Sequence, residues 1–183
     1  MTDRLPDLLT RAARLIAGDG HQGDLKPVQW QALRYLERAN RFSRTPGALA
    51  AWLGQTKGTV SQTLIALERK GLVARQADAH DRRLARLALT DRGHARLAEA
   101  PESVAAAMLS TLGPNDHAAL EPLLARMLSG HLAARGHRPF GQCRTCRHFQ
   151  TRDPVRGLHH CGLLDEPLSD AEADAICVEQ EAA

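Results

Sequence analysis

The first 142 residues of this 183-residue chain contain no cysteine, and aromatic residues make up only 3% of the sequence. The low aromatic content and the many Ala, Leu and Arg residues favour helices over sheets. No apolar run approaches the roughly 18 residues of a membrane span. The N-terminus, MTDRLPDLL, has early acidic residues and no uninterrupted apolar stretch, unlike a signal peptide. We therefore expect a cytoplasmic protein outside the membrane, whose thiols stay reduced and free to bind metals.

The four cysteines all lie in the last 41 residues, with the spacing C-x2-C-x14-C-x15-C. Such clustering predicts a single site. Four converging thiolates are typical of a metal ion or an iron–sulfur cluster. The predicted ligands are Cys143, Cys146, Cys161 and Cys177.

Charge is distributed unevenly along the chain. Residues 1–136 contain 19 Lys and Arg against 13 Asp and Glu, whereas residues 137–183 contain 5 against 8. A basic body suits a polyanionic partner such as nucleic acid, and an acidic tail does not. Together with the cysteine distribution, this predicts two domains, a body at 1–136 and an extension at 137–183.

Helical spacing of apolar residues dominates the body and ends after Gly136. The stop signals and threonine caps predict helices over 5–17, 27–42, 46–53 and 57–70, one following Thr90, and a long helical region over 102–135 interrupted at Gly113-Pro114. Two strands are predicted over 72–76 and 84–89. Trp30, Tyr35 and Trp52 are expected in the core. Residues beyond 136 are predicted to be loop-rich.

Two short helices followed by a basic hairpin predict a winged helix-turn-helix, so the fold class is mainly α with a small β-wing. The second helix is narrow enough for a major groove and has polar residues in its first half. Thr59 and Ser61 are expected to hydrogen-bond DNA phosphates, and Gln62 is expected to hydrogen-bond an adenine. The wing arginines are expected to contact the minor groove or the DNA backbone. The predicted DNA-binding residues are Lys57, Thr59, Ser61, Gln62, Thr63, Arg82, Arg83 and Arg86. Alternatively, Gln62 and Thr63 are ordinary exposed helix residues.

The segment DRRLARLALTDRG fits the signature D-x-R-x-x-x-L-x-L-T-x-x-G through Asp81, Arg83, Leu87, Leu89, Thr90 and Gly93. The upstream segment TVSQTLIALERKGLVAR is similar to the recognition helix and following strand of the same family. Over residues 5–135 the chain resembles the MarR family of transcription regulators. Many members carry Arg where this chain has Gln62, so the resemblance implies no base preference. Asp81 is alternatively a wing cap that pairs with an arginine.

The MarR resemblance implies a homodimeric regulator, with repression as the expected sign, that binds a pseudo-palindromic operator in double-stranded DNA. Its dimer interface would be formed by the helices at about 5–17 and 115–135. A small-molecule effector in the dimer cleft is left open. Because no nucleophile–base motif, phosphate loop or metal-water site stands out, we do not expect an enzyme.

The cysteine tail resembles the pattern of high-potential iron–sulfur proteins. That pattern has C-x2-C, a gap of about 14, a third Cys in a C-x-L context and a fourth about 13 to 15 residues on. The resemblance implies a 4Fe–4S cluster that senses redox state, iron or oxygen. Only Phe140 and Phe149 could shield such a cluster, so it would be exposed and oxygen-labile.

Two alternatives to the cluster remain open at this point. One is a structural zinc ion, one per chain, that serves stability or partner binding, with His160 as a variant ligand. The other is a set of redox-active thiols. Because the tail directly follows the dimer helix, a sensing site is expected to change the spacing of the two recognition helices.

Overall fold

The computed structural model of the chain describes residues 4–18, 24–77, 85–100, 102–137 and 139–182. Within these residues the body is mainly helical, with one antiparallel hairpin that pairs Val73 with Leu89 and Ala77 with Ala85. The described part of the chain has no helix long and apolar enough to cross a bilayer. The elements of the body are α1 (Leu5–Gly18), α2 (Pro27–Arg38), α3 (Pro46–Leu53), α4 (Lys57–Arg69), β1 (Val73–Ala77), β2 (Ala85–Leu89), α5 (Asp91–Ala98), α6 (Val104–Leu109) and α7 (Pro114–Ala134).

Threonine caps begin three of these helices. The side chains of Thr45, Thr56 and Thr90 each accept a hydrogen bond from the backbone N–H three residues later. Each bond satisfies an N–H that has no partner inside the helix. The predicted starts of α3, α4 and α5 are therefore confirmed.

Helix α2 ends at Arg38, so the predicted end near Phe42 is wrong. Ala39 is extended and forms a parallel bridge with Ile176. The side-chain oxygen of Asn40 accepts a hydrogen bond from the Ser43 backbone N–H at 2.9 Å. This local turn competes with helix continuation, as Asn side chains often do. Residues 39–45 consequently form a connection between α2 and α3, which we call the 39–45 loop.

The main core lies between α2, α3, α4 and the hairpin, and five leucines fill most of it: Leu33, Leu36, Leu49, Leu64 and Leu67. Trp30 and Tyr35 are buried, as predicted. Trp52 is 40% exposed, so its predicted core position is only partly right. Its ring packs on Tyr35 and Phe140, at centroid distances of 5.4 and 5.1 Å, and leaves one side to solvent.

The long C-terminal helical region divides as predicted at Gly113-Pro114. Gly113 is the N-cap of α7 and Pro114 its first residue, where a missing N–H costs nothing. Pro122 lies inside α7, and the helix continues through it. The predicted interruption is therefore confirmed.

Residues 139–182, which we call the cysteine module, contain more regular structure than predicted. Strands β4 (Phe149–Asp153), β5 (Leu158–Cys161) and β6 (Glu166–Ser169) form an antiparallel sheet. Strand β3 (Gly141–Gln142) pairs with β7 (Ile176–Cys177). The β4–β5 turn is held by Asp153, whose side chain accepts from the N–H groups of Val155 and Arg156. The loop-rich prediction is wrong because strands this short give little periodic signal. The module comprises β3 (Gly141–Gln142), a 3-10 turn (Cys143–Thr145), β4 (Phe149–Asp153), β5 (Leu158–Cys161), β6 (Glu166–Ser169), α8 (Asp170–Ala173) and β7 (Ile176–Cys177).

The tight packing of α5 on the hairpin generates a stability prediction at Gly93. A Cβ at this position would lie 2.2 Å from the carbonyl oxygen of Leu72. We expect Gly93→Ala to lower the free energy of unfolding by about 1–3 kcal/mol, because backbone must shift to relieve the clash. Gly47→Ala is the matched control, since a Cβ there meets nothing within 4 Å. Urea denaturation followed by circular dichroism compares the two variants, and equal stability would contradict the packing.

Candidate functional site

Helix α4 presents a polar side away from the core. Val60, Leu64 and Leu67 are buried, and their helical spacing leaves the opposite side to solvent. Lys57, Thr59 and Gln62 are exposed on the first two turns. Ser61 is half-buried beside them. The structure therefore brings four of the five predicted α4 residues to an accessible surface.

Thr63 departs from the predicted exposed position. It is only 8% exposed, and its hydroxyl donates to the carbonyl oxygen of Thr59 at 3.2 Å. It lies three residues after Val60 and next to Leu64, so helical geometry turns it toward the core. Its polar group is satisfied within the helix, which leaves little for an outside partner.

The N-terminus of α4 is built around two threonine hydroxyls. Thr56 Oγ1 accepts from the Thr59 N–H at 3.2 Å and lies 2.9 Å from Thr59 Oγ1. Both residues are exposed, with Lys57 between them. Free N–H groups, the positive end of the helix dipole and a lysine together favour an anion such as a phosphate at this end.

The wing arginines divide into two sets. Arg82 and Arg83 lie outside the described residues, as does Asp81. Arg86 is half-buried at the base of the wing, where its Nη1 donates to the carbonyl oxygens of Arg41 and Phe42 at 3.1 and 2.8 Å. Those carbonyls belong to the 39–45 loop and have no helical partner. Arg86 thus braces the loop, in contrast to its predicted outward position.

The four cysteines reach one place from four separate positions in the module. Cys143 begins the 3-10 turn, and Cys146 follows it with its N–H bonded to the Cys143 carbonyl at 2.9 Å. Cys161 ends β5 and Cys177 ends β7. All four line a single cavity of about 10 Å³, together with His148, Phe149, Leu163, Leu168 and Glu179. Cys143 and Cys177 are buried, whereas Cys146 and Cys161 are half-buried.

Two buried cysteines, Cys143 and Cys177, form the inner side of this cavity. The hydrogen bond from Cys143 lowers the pKa of Cys177 to about 7, against the raising effect of burial and with help from Asn40, Ser43 and the Gln180 backbone. The same bond, with burial, raises the pKa of Cys143 well above its usual range. The contact between the two sulfurs therefore favours ionisation of Cys177 over that of Cys143.

The cavity geometry limits what it can hold in this arrangement. In the described parts of the chain no three His, Cys, Asp or Glu side chains are placed to bind one metal ion. A volume of about 10 Å³ is roughly that of one water probe. A larger group would enter only if the sulfurs moved apart. The four-thiolate site predicted from the sequence stays a prediction.

The two histidines before Cys161 have other partners. His159 is buried against Phe149, and its Nε2 lies 2.8 Å from Asp170 Oδ1. His160 Nε2 lies 3.0 Å from Asp165 Oδ1. The variant zinc ligand set with His160 therefore receives no support from this arrangement.

Two residues of the body contact the cysteine site and were missed from the sequence. Asn40 Nδ2 donates to the Cys143 sulfur at 3.3 Å, and Ser43 Oγ accepts from the Val178 N–H at 2.8 Å. Both side chains are buried. Their only sequence signal is a polar pair at the end of an apolar helix, which does not identify a partner.

Comparison with known proteins identifies relatives of the body. A sequence model of the MarR family matches residues 23–84. The transcriptional repressor CouR, solved on a 23-mer DNA duplex, is 30% identical with a TM-score of 0.53, over 69% of this chain and 96% of CouR. The S. aureus MepR–DNA complex is 26% identical with a TM-score of 0.54, over 71% of this chain and 97% of MepR. A probable transcriptional regulator from Pseudomonas aeruginosa is 27% identical with a TM-score of 0.51, over 68% and 97% of the two chains. None of the curated proteins matches the sequence.

Proposed function

This chain belongs to the MarR family and is a DNA-binding transcription regulator of that type, and we propose that it acts as a homodimeric repressor whose cysteine module senses redox state, iron or oxygen. The observation that carries the DNA-binding part is the exposed polar side of α4 on a fold shared with two proteins solved on DNA. The sensing part rests on the convergence of four cysteines on one cavity.

In the proposed complex α4 lies in the major groove. Lys57 and Thr59 sit at the positive end of the helix and contact phosphates, with Ser61 beside them. Gln62 reaches a base edge, where its amide can pair with the N6 and N7 atoms of adenine. Arg82 and Arg83 contact the minor groove or backbone. Thr63 and Arg86 support the fold of this surface, because their polar groups bond within the protein.

A second copy of the chain explains the two terminal helices of the body. Neither α1 nor α7 has a buried residue, and both expose leucines, including Leu8, Leu15, Leu123 and Leu128. Exposed leucines in this number favour association with another apolar surface. Dimerisation through α1 and α7 would present two α4 helices to the two halves of a pseudo-palindrome.

One feature of the cysteine cavity supports a 4Fe–4S cluster over a single ion. The four sulfurs come from four separate positions, as the corners of a cubane require. The metal-free cavity, at about 10 Å³, favours the second candidate, one structural zinc that stabilises the module or recruits a partner.

The role of Gln62 can be tested with one substitution and a neighbouring control. Gln62→Ala should weaken binding to the preferred operator by about 1–3 kcal/mol and leave binding to random duplex nearly unchanged, because only a base contact is lost. Thr63→Val is the control, since the Thr63 hydroxyl is used inside the helix. Fluorescence anisotropy on a selected operator and a scrambled duplex measures both. An equal loss on the two duplexes would refute base reading.

The dimer interface can be tested at exposed leucines. Burying one leucine is worth about 1.5–3 kcal/mol, so Leu128→Glu should raise the dimer dissociation constant by at least about tenfold. Leu158→Glu is the matched control, because Leu158 is another exposed leucine of the cysteine module and does not line the cysteine cavity. Sedimentation equilibrium gives the dissociation constants. If both variants stay dimeric like the unchanged protein, the interface lies elsewhere.

The metal content of anaerobically purified protein separates the two candidates for the cysteine site. We expect about four irons and four sulfides per chain with a broad visible absorption band. In Cys161→Ser the iron, the sulfide and the absorption band should all be lost. Cluster-free protein should differ from loaded protein in operator affinity by about fivefold or more. Colourless protein with one zinc per chain, and equal DNA affinity with and without it, would support the structural alternative.

A further inference from the structure

The 39–45 loop is where the cysteine module attaches to the body. The Asn40 N–H donates to the Ile176 carbonyl at 2.9 Å, and the Val178 N–H donates to Ser43 Oγ at 2.8 Å. At the exposed edge Arg41 forms ion pairs with Glu166 and Glu172 and donates to the Pro167 carbonyl. The strand that ends in Cys177 and the sheet that carries Cys161 are thus both bonded to the same short segment.

The opposite side of this loop carries the base of the wing. The Leu87 N–H donates to the Arg44 carbonyl at 2.7 Å, and Arg86 donates to the carbonyls of Arg41 and Phe42. Thr45, the last residue of the loop, caps α3. A displacement of the loop would therefore move β2 of the wing and the start of α3.

We propose that the state of the cysteine site reaches DNA through the 39–45 loop and the wing, with Asn40 as the positioning residue between the Cys143 sulfur and the loop. The proposal rests on the proposed function and specifies how that site regulates. It replaces the route expected from the sequence, in which the tail acts through the dimer helix.

Asn40 is suited to this role by its bonds and its burial. It is 1% exposed, and its side chain joins the Cys143 sulfur through Nδ2 to the Ser43 N–H through Oδ1. Its backbone N–H is bonded to Ile176 in the module. A 4Fe–4S cluster is larger than this cavity of about 10 Å³, so the four sulfurs would have to lie farther apart around it. Displacement of Cys143 would change its hydrogen bond with the Asn40 side chain and therefore the turn that this side chain stabilises.

The first test breaks the contact between the module and the loop from each side. The variants are Arg41→Gln on the loop and the double variant Glu166→Gln, Glu172→Gln on the module. Arg156→Gln is the control, because Arg156 pairs with Asp153 inside the module and does not line the cysteine cavity. The measured quantity is the ratio of operator affinities between cluster-loaded and cluster-free protein. This ratio cancels the effect of each charge change on DNA affinity itself.

We expect the ratio to move toward one by about 2- to 30-fold in both contact-breaking variants and to stay unchanged in Arg156→Gln. If both variants hold four irons and keep the ratio of the unchanged protein, the loop route is wrong although sensing stands. A comparable loss in Arg156→Gln would also overturn it. A ratio of one in the unchanged protein would mean that the proposed sensing function fails, and the route with it.

The second test examines Asn40 through the reduction potential of the cluster, a property that side-chain packing alone does not determine. Asn40→Ala removes an N–H···S bond, which should lower the reduction potential of the cluster, since such bonds stabilise the more negative reduced state. The affinity ratio should fall in the same variant. Arg41→Gln should leave the potential unchanged, because its contacts are with carboxylates and a carbonyl. An unchanged reduction potential in a folded Asn40→Ala protein would refute the positioning role of Asn40. If Asn40→Ala does not fold, Arg41→Gln still tests the route through the loop.

Discussion

Beyond the end of α2, the backbone of the 39–45 loop has polar groups without a helical hydrogen-bond partner. The cysteine module and the wing both supply partners for these groups. The module provides a carbonyl for the Asn40 N–H, and the wing provides an N–H for the Arg44 carbonyl. A buried backbone group left unpaired costs about 1–3 kcal/mol. Separation of the module or the wing from the loop would therefore be unfavourable. This requirement joins a four-cysteine site to a DNA-binding hairpin through a segment of seven residues, although the two are far apart in sequence.

The features of the fold that were predicted from the sequence are those encoded locally. Thr45, Thr56 and Thr90 cap the helices they precede, and leucine spacing marks the buried sides. The features that failed depend on distant partners. The end of α2 is set by a turn at Asn40 and by a bridge from Ala39 to Ile176, 137 positions further along the chain. Nothing within a helical window reports such a contact, and the short strands of the module give no period of their own.

The candidate site follows the same division. The polar first half of α4 was predictable from its cap and its apolar stripe, and only Thr63, at the edge of that stripe, lies on the inner side. The grouping of four cysteines predicted their convergence, and they do line one cavity. Their contact with Asn40, 103 positions away from Cys143, has no local signal. The predicted outward position of Arg86 was wrong for a related reason. Its partners are loop carbonyls that are free to accept its hydrogen bonds because α2 ends at Arg38.

The chemistry of the buried pair decides whether loading the cysteine site must disturb the loop. Cys146 and Cys161 are half-buried and could move outward without changing the body. Cys143 and Cys177 would lose the hydrogen bond between them on binding a metal centre, because a metal-bound thiolate does not carry the proton that this bond needs. The charge of the metal centre would then set the spacing of the two sulfurs in place of that hydrogen bond. Since Asn40 bonds one of these sulfurs directly, the proposed metal centre would change the part of its site that touches the loop.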